Sequence, residues 1–156
     1  MLARVAGMPV DLSATAVVAN AWRAAQEVRA YLERRILRPE GLSFAGFSVL
    51  FNLWVWGPTE TRALAASMSC SRPTVTTVSG TLERAGLVAR HGDERDRRLV
   101  VLELTSAGLR TIEDLYPRFN AGEAALAAKL SPEERQTLAG LLRRLVVTTR
   151  EAADDG

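Results

Sequence analysis

One cysteine, one histidine and one lysine are all that this chain of 156 residues contains. Cys70 alone cannot close an intramolecular disulfide, and Cys70 with His91 cannot furnish a metal cluster. No Gly-rich phosphate loop and no nucleophile–base pair is visible, so neither a cofactor nor an enzymatic reaction is expected. No run of 18 apolar residues occurs, which excludes a membrane-spanning helix. Residues 1–10 lack the charged start and long apolar stretch of a signal peptide, and with the lone cysteine this points to the cytoplasm. Formal charge is only +2, so the global balance does not announce a nucleic-acid partner. Nineteen of the 20 basic residues are Arg, which a GC-rich codon bias explains without any function.

What is present is hydrophobic periodicity. Hydrophobic residues make up 47% of the chain, enough for one compact domain over 1–156. Val18, Ala21, Trp22, Ala25, Val28 and Leu32 recur at helical spacing within 11–37, behind the candidate caps Asp11 and Ser13. Pro39 and Gly41 end that helix. Ser43 caps a second helix, 44–56, which is apolar almost all round and therefore central. After Gly57-Pro58, a short helix over 60–68 turns Ala63, Leu64 and Met68 inward. Ser71 caps a fourth helix over 72–85, with Pro73 in its first turn and Gly86 at its end.

The period then becomes strand-like. Residues 87–90 and 99–104 form a hairpin around the charged loop 91–98. Thr105 caps a helix over 106–128, with Leu109, Ile112, Leu115, Tyr116 and Phe119 on one side and Pro117 bending it. Ser131-Pro132-Glu133-Glu134 has the form of a capping box and opens a last helix, 132–150. Leu138, Leu141, Leu142, Leu145 and Val146 line one face of that helix, and the tail from Glu151 should fray.

Two helices joined by a tight turn, followed by a hairpin, have the order of a winged helix-turn-helix, here at about 42–105. The expected fold is thus mainly α with a small β-hairpin wing. On the helix 72–85, Val75, Val78, Leu82 and Ala85 share one sector, and Arg72, Pro73, Thr76, Thr77 and Gly80 lie opposite. A helix needing only solubility would carry Glu and Lys there. Hydroxyls, one Arg and a bare Gly suit a major groove instead, although a plain amphipathic helix fits the pattern too. Over 62–98 seven Arg face four acidic residues, leaving +3 in a chain otherwise near neutral. An Arg at a hairpin tip can enter a minor groove, though a solvated turn with local ion pairs would hold the same residues.

The segments Ser71-Arg72-Pro73-Thr74-Val75-Thr76, Leu82-Glu83-Arg84-Ala85-Gly86-Leu87-Val88, Asp93-Glu94-Arg95-Asp96-Arg97-Arg98 and Leu104-Thr105-Ser106-Ala107-Gly108 resemble the MarR (multiple antibiotic resistance regulator) family. That resemblance implies a homodimeric DNA-binding transcription regulator, with 11–37 and 106–150 as dimerisation helices. It implies that Ser71, Arg72, Pro73, Thr74 and Thr76 belong to the reading end of the recognition helix. Thr77 and Gly80 share its DNA-binding face, although family members often carry Arg at Thr77 and Thr81. Arg95 matches the minor-groove wing Arg, with Arg97 and Arg98 beside it, and Asp96 matches the acid that steadies the wing by pairing with Arg98. A pocket for a small aromatic or lipophilic effector is implied between the dimerisation helices and the DNA-binding lobe. Trp22, Phe47 and Trp54 are either its lining or core. The expected function is a ligand-responsive repressor on a pseudo-palindromic operator in double-stranded DNA. The alternative is a winged-helix protein–protein interaction module without DNA binding.

Overall fold

The computed structural model describes residues 8–92 and 100–154. They fall into two compact units, one spanning Tyr31–Ala125 and one made by the chain ends, up to Ala30 and from Leu126 onward.

Helix α1 runs Leu12–Leu32. Asp11 caps it, its carboxylate accepting from the backbone N–H of Ser13 and Ala14 and from the Ser13 hydroxyl. The Ser13 hydroxyl, helped by those amides, holds the Asp11 carboxyl below its ordinary value. The helix does not stop at Leu32. A π-wound turn follows over Glu33–Leu37, with the Arg38 N–H donating to the Glu33 carbonyl, and then a 3-10 turn over Arg38–Glu40. The wider winding lets Leu32 and Leu37, five residues apart, both enter the core. Gly41, at φ 71°, ends the run in a conformation that disfavours a side chain.

Helix α2 occupies Phe44–Trp56, and the Ser43 hydroxyl accepts from the Gly46 N–H. Phe47, Val49, Leu50 and Leu53 are buried, so its first three turns are central as expected. Its last turn is not: Trp54, Val55 and Trp56 are exposed. A two-residue strand, β1 (Thr59–Glu60), follows and pairs antiparallel with a later strand. The sequence pattern does not reveal it, because two residues carry no periodicity.

Helix α3 is Thr61–Ser67 and helix α4 is Arg72–Arg84. In α3, Leu64 and Ala65 are buried, while Ala63, expected inward, is exposed. Strands β2 (Val88–Gly92) and β3 (Val100–Leu104) pair with Val88 opposite Leu104 and Gly92 opposite Val100. The sheet order is β1-β3-β2, all antiparallel, so β3 is the central strand and its Leu102 is fully buried.

Helix α5 covers Ser106–Leu126 and buries Ile112, Leu115 and Phe119, but leaves Leu109 exposed. It continues through Pro117. Pro117 and Glu113, whose carbonyl loses its donor there, both face water, so the loss is met by solvent. Helix α6 runs Pro132–Asp154, past the point where fraying is expected. The capping box forms: the Glu134 N–H donates to the Ser131 hydroxyl, and the Ser131 N–H donates to the Glu134 carboxylate. The periodic residues of α1 before Leu32 are not buried: Val18, Trp22 and Val28 are all exposed. Nor is any described residue of α6.

Candidate nucleic-acid interface

The helix-turn-helix is assembled around α2. The Asn52 amide on α2 donates to the Ser48 carbonyl, and its oxygen accepts from the Ser67 hydroxyl at the end of α3. In the turn, the N–H groups of Met68 and Cys70 donate to the carbonyls of Leu64 and Ala65. Ser69 takes a left-handed conformation, φ 49°, which tightens the bend. Cys70 is half-buried and packs against the core, the role of a small hydrophobe. Among the described residues no group of three or more His, Cys, Asp or Glu could hold a metal ion.

Helix α4 starts on Ser71, whose hydroxyl accepts from the Thr74 N–H and lies 2.8 Å from the Thr74 hydroxyl. Val75, Ser79 and Leu82 face inward and are buried, with Val78 half-buried. Ala85, grouped with that sector by periodicity, is exposed because the helix has already ended at Arg84. Ser71, Arg72, Pro73, Thr74, Thr76 and Thr77 are all exposed over the first two turns, with half-buried Gly80 one turn on. A Cβ at Gly80 would meet nothing within 4 Å, so no packing inside the chain requires glycine there.

Three threonine hydroxyls on this helix are already committed as donors. Thr76 donates to the Arg72 carbonyl, Thr77 to Pro73 and Thr81 to Thr77. What they offer outward is lone pairs and methyl groups. Arg84, to which the sequence pattern gives no special place, folds back along the helix: its Nε donates to the Gly80 carbonyl and its Nη2 to Thr81. Arg72 stands exposed in a first turn that contains no acidic residue. The positive dipole end of the helix is thus open to an anion, although Pro73 has no amide proton and the Thr74 N–H is already taken by Ser71, which leaves the Arg72 N–H as the first-turn donor.

Of the arm that follows, β2 and β3 are described up to Gly92 and from Val100. The residues Arg95, Asp96, Arg97 and Arg98, and the proposed Asp96–Arg98 pair, lie outside the described residues. On the stem, His91 Nε2 is 3.2 Å from a Glu103 carboxylate oxygen across the strands, and Arg90 Nε is 3.5 Å from Glu83 on α4.

The aromatic residues considered for an effector behave differently from one another. Phe47 is core, stacked on Phe119 with ring centroids 4.0 Å apart. Trp54 is exposed on one side and packs against Phe51 and Tyr116 on the other. Trp22 belongs to the unit of the chain ends, exposed beside Ala14, Thr15, Val18 and Ala19 in an open hollow.

Comparison with known proteins agrees with this geometry. The family model described as MarR matches residues 42–100, the stretch from just before α2 to the first residue of β3. An HTH-type transcriptional regulator of Bacillus subtilis, YwaE, is 40% identical over 147 residues, which cover 92% of this chain and 86% of that protein. The solved structure of Bordetella bronchiseptica BpsR, whose DNA binding is regulated by 6-hydroxynicotinic acid, superposes with a TM-score of 0.77 at 28% identity, covering 83% of this chain and 98% of that one. A mutant E. coli MarR in complex with operator DNA shares the fold at a TM-score of 0.77 and 22% identity, over 87% of this chain and 99% of that one. The mainly helical chain with its winged helix-turn-helix belongs to the MarR family of HTH-type transcriptional regulators.

Proposed function

We propose that this protein is a cytoplasmic, homodimeric repressor that binds a pseudo-palindromic operator, with α4 in the major groove and the β2–β3 arm at the minor groove. The observation that carries the reading is the outer face of α4: exposed Arg72, Pro73, Thr76 and Thr77, a capped N-terminus, and no acid in the first turn. A base edge or phosphate approaching that face meets one cation, the positive end of the helix dipole, hydroxyl acceptors and methyl groups, and no repelling carboxylate in the first turn. On this reading, carried by the family resemblance alone, Arg95 is assigned the minor-groove contact, Arg97 and Arg98 a supporting part in it, and Asp96 the pairing with Arg98. A family relative with an operator complex and another whose DNA binding is regulated by a small aromatic acid support the class of partner and of effector. Exposed Trp54, packed on Phe51 and Tyr116, is an aromatic surface of the central unit on which a small aromatic or lipophilic effector can stack. Among the described residues no feature favours a protein-interaction module over DNA.

The test is titration of the protein against the intergenic DNA upstream of its own gene, and against a scrambled duplex of equal composition, followed by gel-shift or fluorescence anisotropy. Tighter binding to the intergenic DNA, with affinity falling as salt rises, is the expected outcome. Failure to bind either duplex at low salt would overturn the reading and leave protein interaction as the function of α4.

A further inference from the structure

Glu83 occupies a position that two separate considerations disfavour. It lies in the last turn of α4, where the negative end of the helix dipole repels a carboxylate. It also adds a negative charge to a helix that, in the proposed function, lies among phosphates. Arg90 presents the complementary oddity. It sits on β2 opposite Leu102, and its Nε is buried without a hydrogen-bond partner among the described residues. The two meet: Arg90 Nε is 3.5 Å from Glu83 Oε2, a Coulombic contact rather than a hydrogen bond, with the Arg90 side chain only 28% exposed. An ordinary surface pair contributes little. This one differs because the carboxylate is the compensation for a buried cationic nitrogen, which would otherwise be left alone.

The pair also closes a triangle. Two of its sides are the last turn of α4 and the start of β2, which meet at the turn through Gly86 and Leu87. The corner at the turn is held from the other side by α5: the Thr105 hydroxyl donates to the Gly86 carbonyl at 2.6 Å, and the Thr105 N–H donates to the Leu87 carbonyl. With that corner fixed, the Glu83–Arg90 contact is the brace across the open side. We infer that Glu83 and Arg90 are positioning residues for DNA recognition, their ion pair setting the angle between α4 and β2 so that reading face and arm engage DNA together. The inference rests on the DNA-binding function proposed above.

The decisive variant is Glu83→Gln, because the brace and simple electrostatics predict opposite signs. Removing a negative charge beside phosphates tightens binding if Glu83 is only a solvated acid. If it is the brace, binding to the upstream intergenic DNA weakens at least about threefold, the scale of coupling between contacting residues. The preference over scrambled DNA narrows with it. The charge swap Glu83→Arg with Arg90→Glu keeps the net charge and should return most of the lost preference. In the free protein, amide hydrogen exchange in β2 should quicken in Glu83→Gln and slow again in the swap. Parent protein that leaves both duplexes unbound would overturn the DNA-binding function and this inference with it. Parent protein that binds while Glu83→Gln binds equally or more tightly, with unchanged exchange in β2, overturns the brace alone.

Discussion

Ser79 is fully buried on the inner face of α4, and its hydroxyl has no hydrogen-bond partner among the described residues. A buried unsatisfied hydroxyl costs free energy that an alanine of nearly the same shape would not. Ser79→Ala should therefore raise stability, by roughly 1 kcal/mol, as read by the denaturant midpoint at constant slope. Destabilisation would mean that the hydroxyl has a partner after all. On the outer face of the same helix the argument concerns DNA. Arg72 is the exposed cation of the first turn, and the Thr hydroxyls are acceptors because their protons go to the helix backbone. Arg72→Ala should cost about 1–3 kcal/mol on the operator and relax preference at one base pair of each half-site. Equal weakening on scrambled DNA would instead make Arg72 a phosphate ligand, with a salt slope shallower by about 0.9 for each phosphate no longer neutralised. These outer residues were legible in the sequence because a helical wheel and a Ser–x–Pro start separate them from the core. Ser79 was not, since a small polar residue among apolar neighbours gives no sign of which way it points. Ala63 and Leu109 failed for the opposite reason: both are apolar and both face water.

At the scale of elements, Gly108 explains why a glycine stands in the first turn of α5. A Cβ built there would lie 1.9 Å from the Leu87 carbonyl oxygen and 2.9 Å from its carbon. Both are backbone atoms, held by the Thr105 bonds to Gly86 and Leu87, so neither can swing aside. The same Thr105 hydroxyl caps α5 by accepting from the Gly108 N–H. One threonine and one glycine thus seat the start of α5 against the end of α4. Gly108→Ala should destabilise the central unit by about 3 kcal/mol, measurable as a fall in the denaturant midpoint. A change of less than about 0.5 kcal/mol, the usual range for an unconstrained surface site, would show that the close approach relaxes freely. Elements with local signals were read closely from sequence: α2 behind Ser43, α4 between Ser71 and Gly86, and α6 behind its capping box. The π-wound turn at Glu33–Leu37 and strand β1 were not, because tertiary packing makes them. The first follows from the need to bury Leu32 and Leu37 together. The second exists only through its pairing with β3.

The whole molecule raises the question of what covers its end helices. Helix α6 has 23 residues, no described residue of it is buried, and Leu138, Leu141, Leu142 and Val146 remain 42–53% exposed along one face. Helix α1 presents Val17, Val18 and Trp22 in the same condition and buries only Leu32 at its end. Most helical stability in proteins comes from packing an apolar face, and a helix with none packed is marginal in water. The missing cover is best supplied by a second copy, since a two-fold axis lets each stripe meet its own counterpart and leaves no open end to propagate. The homodimer proposed above then has a measurable cost of failure. Leu142→Glu with Val146→Glu places two carboxylates on the stripe, where they would repel their symmetry mates, and should give a monomer in sedimentation at micromolar concentration. The loss should be larger for operator than for scrambled DNA, because half-site spacing is set by the dimer. Truncation after Leu130 removes the stripe altogether and should abolish soluble dimer. Parent protein sedimenting as a monomer at the same concentration would overturn the dimer, and the pairing of two α4 helices on one operator would fall with it.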